Sequence, residues 1–256
     1  MKKLKRAYLF LAYLFLYGPI FVMMLYSFNN SKLRGSWVGF TLNWYIDLFK
    51  NEEILTSLYY TLVTAVVATI ISVLLGIVTS LGYYYLNKKQ QALLLNINQL
   101  PVFNPDIVTA IGLMSLYQML SLSQGLTTLI LSHVAFCTPY VILSILPKLK
   151  QMNPQMIEAS LDLGATPLQT LTKVVVYQIK PGILSGALMS FTLSLDDFVI
   201  SFFTTGSGVS NLSVLLYSMA KRGIDPSMYA LSTLMLVAVF LLLFMVNKKF
   251  DGLHWS

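Results

Sequence analysis

The 256-residue chain has one cysteine, and Asp, Glu, Lys and Arg together supply only 11% of it. A lone thiol at Cys137 excludes an internal disulfide and a cysteine metal cluster. Soluble domains usually carry about 25% charged residues, so an ordinary water-facing surface is excluded as well. No glycine is followed by lysine, which removes the Walker A phosphate loop, and H-E-x-x-H, paired Cys/His and G-x-S-x-G patterns are missing too. No catalytic residue, metal site or cofactor is therefore expected. His133 and Cys137 stand four apart on one helix face, but with no other soft ligand nearby they read as packing. What fills the chain instead is apolar: 56% hydrophobic residues and a mean hydropathy of +0.71.

A hydrocarbon core of about 30 Å takes about 20 apolar residues per helical span, so the expected fold is all-α and polytopic. Six uncharged apolar runs predict spans at Ala7 to Phe28, Leu58 to Leu86, Leu100 to Leu120, Leu126 to Leu146, Ile183 to Phe203 and Met228 to Val246. The first begins with a basic segment like a signal peptide, yet it is too long and lacks a small-residue cleavage site, so it reads as a retained span. The net charge of +7 comes from cations at the ends of these runs, which signals topology rather than nucleic acid binding. With the N-terminus inside, twelve of the seventeen fall on the inner side, among them Lys2, Lys3, Lys248 and Lys249. Lys32, Arg34, Lys50, Lys221 and Arg222 stay outside. Both termini are expected in the cytoplasm. The outer segment after the first span carries Trp37, Trp44 and Tyr45, and Thr41 is placed to cap a short interfacial helix presenting Leu42, Ile46 and Phe49.

The inner loop of residues 148–180 has structure of its own. Asn153 caps a helix with Pro154 at its first position, and that helix stops at Gly164. Thr166, Pro167 and Gln169 then form a capping box that starts a second helix. Two short helices joined at Gly164 and Ala165 would make a rigid projecting bracket.

The spacing "EASLDLG" followed by a helix and "KPGI" resembles the EAA loop of ABC importer permeases, with Glu158, Ala159, Ser160 and Gly164 at the matching positions. Ser160 replaces the motif's second alanine, and Tyr177 stands where the family commonly has proline. The segments "NPDIVTAIGL", "SHVAFCTPYVI", "SFTLSLDDFVIS" and "LYSMAKRGIDPSMYALSTLMLV" are similar, in order and interval, to membrane subunits of the spermidine/putrescine importers. The resemblance implies one permease domain over residues 1–256, of the type I importer kind, in a bacterial inner membrane. It also implies partners: two copies of an ATPase gripping Glu158, Ala159, Ser160, Gly164 and Ala165, a second related permease, and an extracytoplasmic polyamine-binding protein.

The residues themselves raise a cargo question. Asp196 and Asp197 are adjacent inside the fifth run, roughly 5 to 6 Å from its centre at about 1.5 Å per residue. An intramembrane aspartate costs roughly 2.5 to 3.5 kcal/mol, so such residues line a path, pair, or hold the bundle together. Asp106 is the third candidate, in "NINQLPVFNPDIVTAIG", where Pro101 and Pro105 interrupt the backbone near Asn96, Asn98 and Asn104. Phe198 and Tyr117 are placed for cation-π contact, although packing is the commoner role. Separated carboxylates suit a linear polyamine. A permease for another small solute, a proton-coupled transporter using the three aspartates as a relay, and a structural or signalling subunit stay open as alternatives.

Overall fold

A computed structural model describes residues 2–31, 36–222 and 226–251, with side chains for 5–31, 36–222 and 226–241. Lys32 and Arg34, and the side chains of Lys2, Lys3, Lys248 and Lys249, lie outside the described residues, as do residues 223–225 of the last quoted segment. Among the described residues the secondary structure is helical, apart from a lone bridge between Asn29 and Phe40.

The chain divides into two units. The first takes in residues 1–55 and 215–256, with α1 (Lys2–Tyr26), α2 (Asn43–Leu48) and α12 (Pro226–Asp251). Here α12 packs on α1 and α2, with Tyr26 against Tyr229. Between α1 and α2, Asn29 is buried: its amide donates to the Ser36 carbonyl, and its side-chain oxygen accepts from the Val38 N–H. Trp44 Nε1 donates to the Asn29 carbonyl. Thr41 Oγ1 accepts from the Asn43 N–H as α2 begins, and Leu42, Ile46 and Phe49 are exposed.

The second unit, residues 56–214, carries most of α3 (Glu52–Tyr85), then α4 (Lys88–Phe103), α5 (Asp106–Met119), α6 (Leu126–Gln151) and α7 (Gln155–Asp162). After α7 one helical run continues through α8 (Pro167–Gln169), a π-helical stretch at Thr170–Val175 and α9 (Val176–Asp196). α10 (Val199–Thr204) follows within the unit, and α11 (Leu212–Arg222) begins at its end. α6 is the centre of this unit, because α9 lies along it so closely. Gly182, Gly186, Ser190 and Ser194 recur every fourth residue on α9, all buried, and form a small-residue stripe that admits the neighbouring backbone. A Cβ on Gly182 would stand 2.8 Å from the Ser144 carbonyl oxygen and 3.1 Å from the Ile145 Cα. Val141, Ile142, Ile145 and Ile179 close the core beside it.

Four described helices are long and apolar enough to cross a bilayer: Lys5–Tyr26, Glu52–Tyr85, Leu126–Gln151 and Pro167–Asp196. They correspond to the first, second, fourth and fifth predicted runs, and α12 lies where the sixth was predicted. Two expectations need correction. The third run was expected over Leu100 to Leu120 with interruptions at both Pro101 and Pro105, whereas α4 begins at Lys88, continues through Pro101 and meets α5 at a 103° bend. Pro105 has no N–H and disfavours helical backbone at the residue before it, and Asn104 is extended at φ −78°, ψ 137°. Pro101 stays within α4, whose start is fixed by a capping box between Asn87 and Gln90. The fifth run was expected to be continuous to Phe203, but it breaks after Asp196, with Asp197 extended at φ −64°, ψ 127°.

The bracket forms as its caps predict on the α7 side. Asn153 Oδ1 accepts from the Gln155 N–H at 3.0 Å. At the other end the Gly164 and Ala165 amides donate to the Leu161 and Ser160 carbonyls, a Schellman closure with Gly164 at φ +83°. Thr166 and Gln169 make the capping box. The second helix is not short, however. It runs on through the π stretch into α9, with no break at Tyr177, because no proline or glycine interrupts the run before Lys180.

Candidate functional site

The candidate site lies at the break in the fifth run. α9 ends at Asp196, α10 starts at Val199, and the two residues between turn the chain. Asp106, Phe136, Thr192, Leu193, Asp196, Asp197, Phe198 and Val199 line a recess of about 340 Å³ there. Asp106 reaches it from the first turn of α5, where Pro105 has redirected the chain. The three aspartates singled out in the sequence thus border one recess, but their carboxylates face different surroundings.

Asp106 and Asp196 are exposed. Asp197 is turned into the protein, its side chain 6% exposed. Its Oδ1 accepts from the Ile200 N–H at 3.2 Å, and its Oδ2 from the Ser201 N–H at 2.7 Å and the Ser201 hydroxyl at 2.8 Å. His133 Nε2 lies 3.5 Å from the same oxygen. A carboxylate holding two amides and a hydroxyl has replaced most of its lost hydration, which is how a charge is kept below a protein surface. Asp197 therefore fastens the start of α10.

His133 is the residue that sequence reasoning set aside as packing. It is buried, with Nδ1 2.6 Å from Ser194 Oγ and Nε2 3.0 Å from Ser201 Oγ. Asn211 Nδ2 donates to Ser201 Oγ at 2.6 Å and to the Asp197 carbonyl at 3.2 Å. The Ser201 hydroxyl gives its one hydrogen to Asp197, so it can only accept from His133, which puts a hydrogen on Nε2. The weak signal for this cluster was a serine at each of positions 194 and 201 around a double aspartate, and nothing local linked them to α6. Cys137 is buried one turn from His133, its Sγ 3.5 Å from the Ser190 carbonyl. Among the described residues no group of three His, Cys, Asp or Glu side chains gathers for a metal.

Of the two aromatics weighed for cation contact, Phe198 lines the recess. Tyr117 is buried elsewhere, its hydroxyl 2.9 Å from Ser132 Oγ.

On the bracket, Glu158, Ala159 and Gly164 are exposed, with Ser160 and Ala165 half-buried. Leu163 and Leu168 are 88% and 70% exposed, an apolar edge flanking the Schellman turn. Ser160 Oγ lies 2.8 Å from Thr170 Oγ1 and ties α7 to the π stretch. Ile157 packs toward the core.

Several helices long enough to cross a bilayer, a bend in the third run and a break in the fifth are features of a polytopic membrane protein. Residues 72–252 match the family described as the binding-protein-dependent transport system inner membrane component. The chain belongs to this family. It is thus a multi-pass inner membrane permease. The permease is 34% identical over 234 residues to the spermidine/putrescine transport system permease protein PotC of Haemophilus influenzae, covering 91% of each chain. It is also 34% identical to the putrescine transport system permease protein PotI of Escherichia coli, over 90% of this chain and 85% of that one. Among solved structures, a bacterial ABC transporter that imports the acidic polysaccharide alginate superposes with a TM-score of 0.74 over 100% of the permease and 99% of that chain, at 17% identity. The MetNI methionine transporter gives 0.65 over 80% of the permease and 100% of that chain, at 18% identity. Those two likenesses establish a shared fold.

Proposed function

We propose that this permease forms half of a translocation pathway for polyamines in an ATP-driven importer. The observation that carries the reading is the recess at the broken fifth span, where the exposed carboxylates of Asp196 and Asp106 stand among Phe136, Leu193 and Phe198. A polyamine is a row of ammonium groups joined by short methylene chains. Carboxylates replace the hydration of the ammonium groups, and aromatic faces accept both the charge and the methylenes. The spermidine/putrescine and putrescine permeases among its relatives support the same cargo class.

In this reading the cytoplasmic bracket, with Glu158, Ala159, Ser160, Gly164 and Ala165, docks on one of two ATPase copies that hydrolyse ATP on the permease's behalf. The exposed Leu163 and Leu168 supply apolar contact there. A second, related permease completes the pathway, a polyamine-binding protein delivers cargo at the outer face, and both termini are cytoplasmic.

The test is purification of the tagged permease from membranes, followed by uptake in proteoliposomes with labelled spermidine, putrescine, an amino acid and a sugar. The expected result is co-purification of an ATPase and a second permease, with ATP-dependent uptake of polyamines alone. Uptake that ignores ATP but follows a proton gradient, or that prefers the uncharged solutes, would overturn the reading.

A further inference from the structure

We infer that His133 is a positioning residue that clamps the two halves of the broken fifth span and so decides which of the adjacent aspartates faces the recess. The inference rests on the proposed role of that recess as the cargo path, and it explains how a single carboxylate of the pair is selected.

Ser194 lies before the break and Ser201 after it, and one imidazole bridges both, at 2.6 Å through Nδ1 and 3.0 Å through Nε2. In an unbroken helix, positions seven residues apart are separated by about 10.5 Å along the axis, at about 1.5 Å per residue. Two such short bonds to one five-membered ring fall short of that separation. The bridge therefore exists only while the span is broken, and it holds the break closed from α6. Ser201, fixed by His133 and by Asn211, donates its hydroxyl hydrogen to Asp197 and keeps that carboxylate inward. Asp196, the preceding residue, is then left exposed toward the recess. Without the ring, the span can straighten. Adjacent helical residues then diverge by about 100°, and both carboxylates can swing.

The test reads the two carboxylates directly. The assembled, solubilised complex is treated with a carbodiimide and an amine nucleophile, and modification at residues 196 and 197 is separated by peptide fragmentation. In the wild type, Asp196 should be modified at least tenfold more than Asp197. In His133→Gln, and in Ser201→Ala should the first variant fail to assemble, the ratio should fall toward one. The KM for labelled putrescine should rise severalfold per assembled complex. Equal modification in the wild type overturns the inference without any variant. An unchanged ratio and KM in an assembled variant overturns it as well, and shows that His133 only packs. Failure of the cargo reading is distinguishable, because Asp196→Asn would then transport polyamine normally whatever the labelling ratio.

Discussion

The helical run from Pro167 to Asp196 ends in two different ways. At the bracket end it is set by local contacts: Thr166 with Gln169 three residues on, and Asn153 with Gln155 two residues on. At the recess end it is set by groups far apart in sequence, with His133 reaching Ser194 and Ser201 across 61 and 68 positions. The bracket end is exposed and its parts satisfy each other. At the recess end His133, Ser194, Ser201 and Asn211 are buried and depend on partners from other elements, while Asp196 stays exposed. One end is thus organised by its own near neighbours in sequence, and the other by partners from across the second unit.

The comparison breaks most severely where α9 meets α6. Gly182→Ala puts a Cβ 2.8 Å from a backbone carbonyl that has no room to give. It should destabilise the second unit by about 1–3 kcal/mol, the usual cost of overpacking. A lowered thermal midpoint of the detergent-solubilised complex, with reduced yield, is the measurement. The bracket end should respond less and more locally. A Cβ on Gly164 meets nothing within 4 Å, so Gly164→Ala costs only what φ +83° demands, about 1–2 kcal/mol. ATPase co-purification should weaken while the thermal midpoint of the membrane part holds, and Gly164→Asn should restore most of the loss, since asparagine tolerates that conformation. Smallest of all should be Ser160→Ala, which removes the half-buried hydroxyl that donates to the Ile157 carbonyl or pairs with the buried Thr170, and places alanine where the resembling motif has it. A change below about 1 kcal/mol is expected, with uptake and ATPase binding within twofold of the parent.

The same division explains what was legible in the sequence. The spans at α1, α3, α6 and Pro167–Asp196, the apolar helix α12, the caps at Asn153 and Thr166 and the Schellman glycine were readable because a hydrophobic run or a short-range hydrogen bond carries its own signature. Asp106, Asp196 and Asp197 were readable as a set because charge in an apolar run is costly whatever its surroundings. The break after Asp196 was not. Its residues contain neither proline nor glycine, and the conformation is stabilised by Asp197 accepting from Ser201 and by His133 on α6. The bend at Asn104 was half legible, since Pro105 announced an interruption but not that α4 would persist through Pro101. His133 itself read as packing because its partners lie on α9 and α10, beyond the reach of spacing arguments.

In the proposed arrangement the adjacent aspartates hold different posts, Asp196 facing the cargo and Asp197 fastening the break. Asparagine at each position, with complex yield and ATP-driven putrescine uptake per assembled complex recorded separately, tests it directly. Asp196→Asn should assemble normally and lose at least tenfold in uptake. Asp197→Asn should lower yield and thermal midpoint while the complexes that do form retain most of their uptake. The reverse pattern, or normal assembly and uptake in both variants, would contradict it.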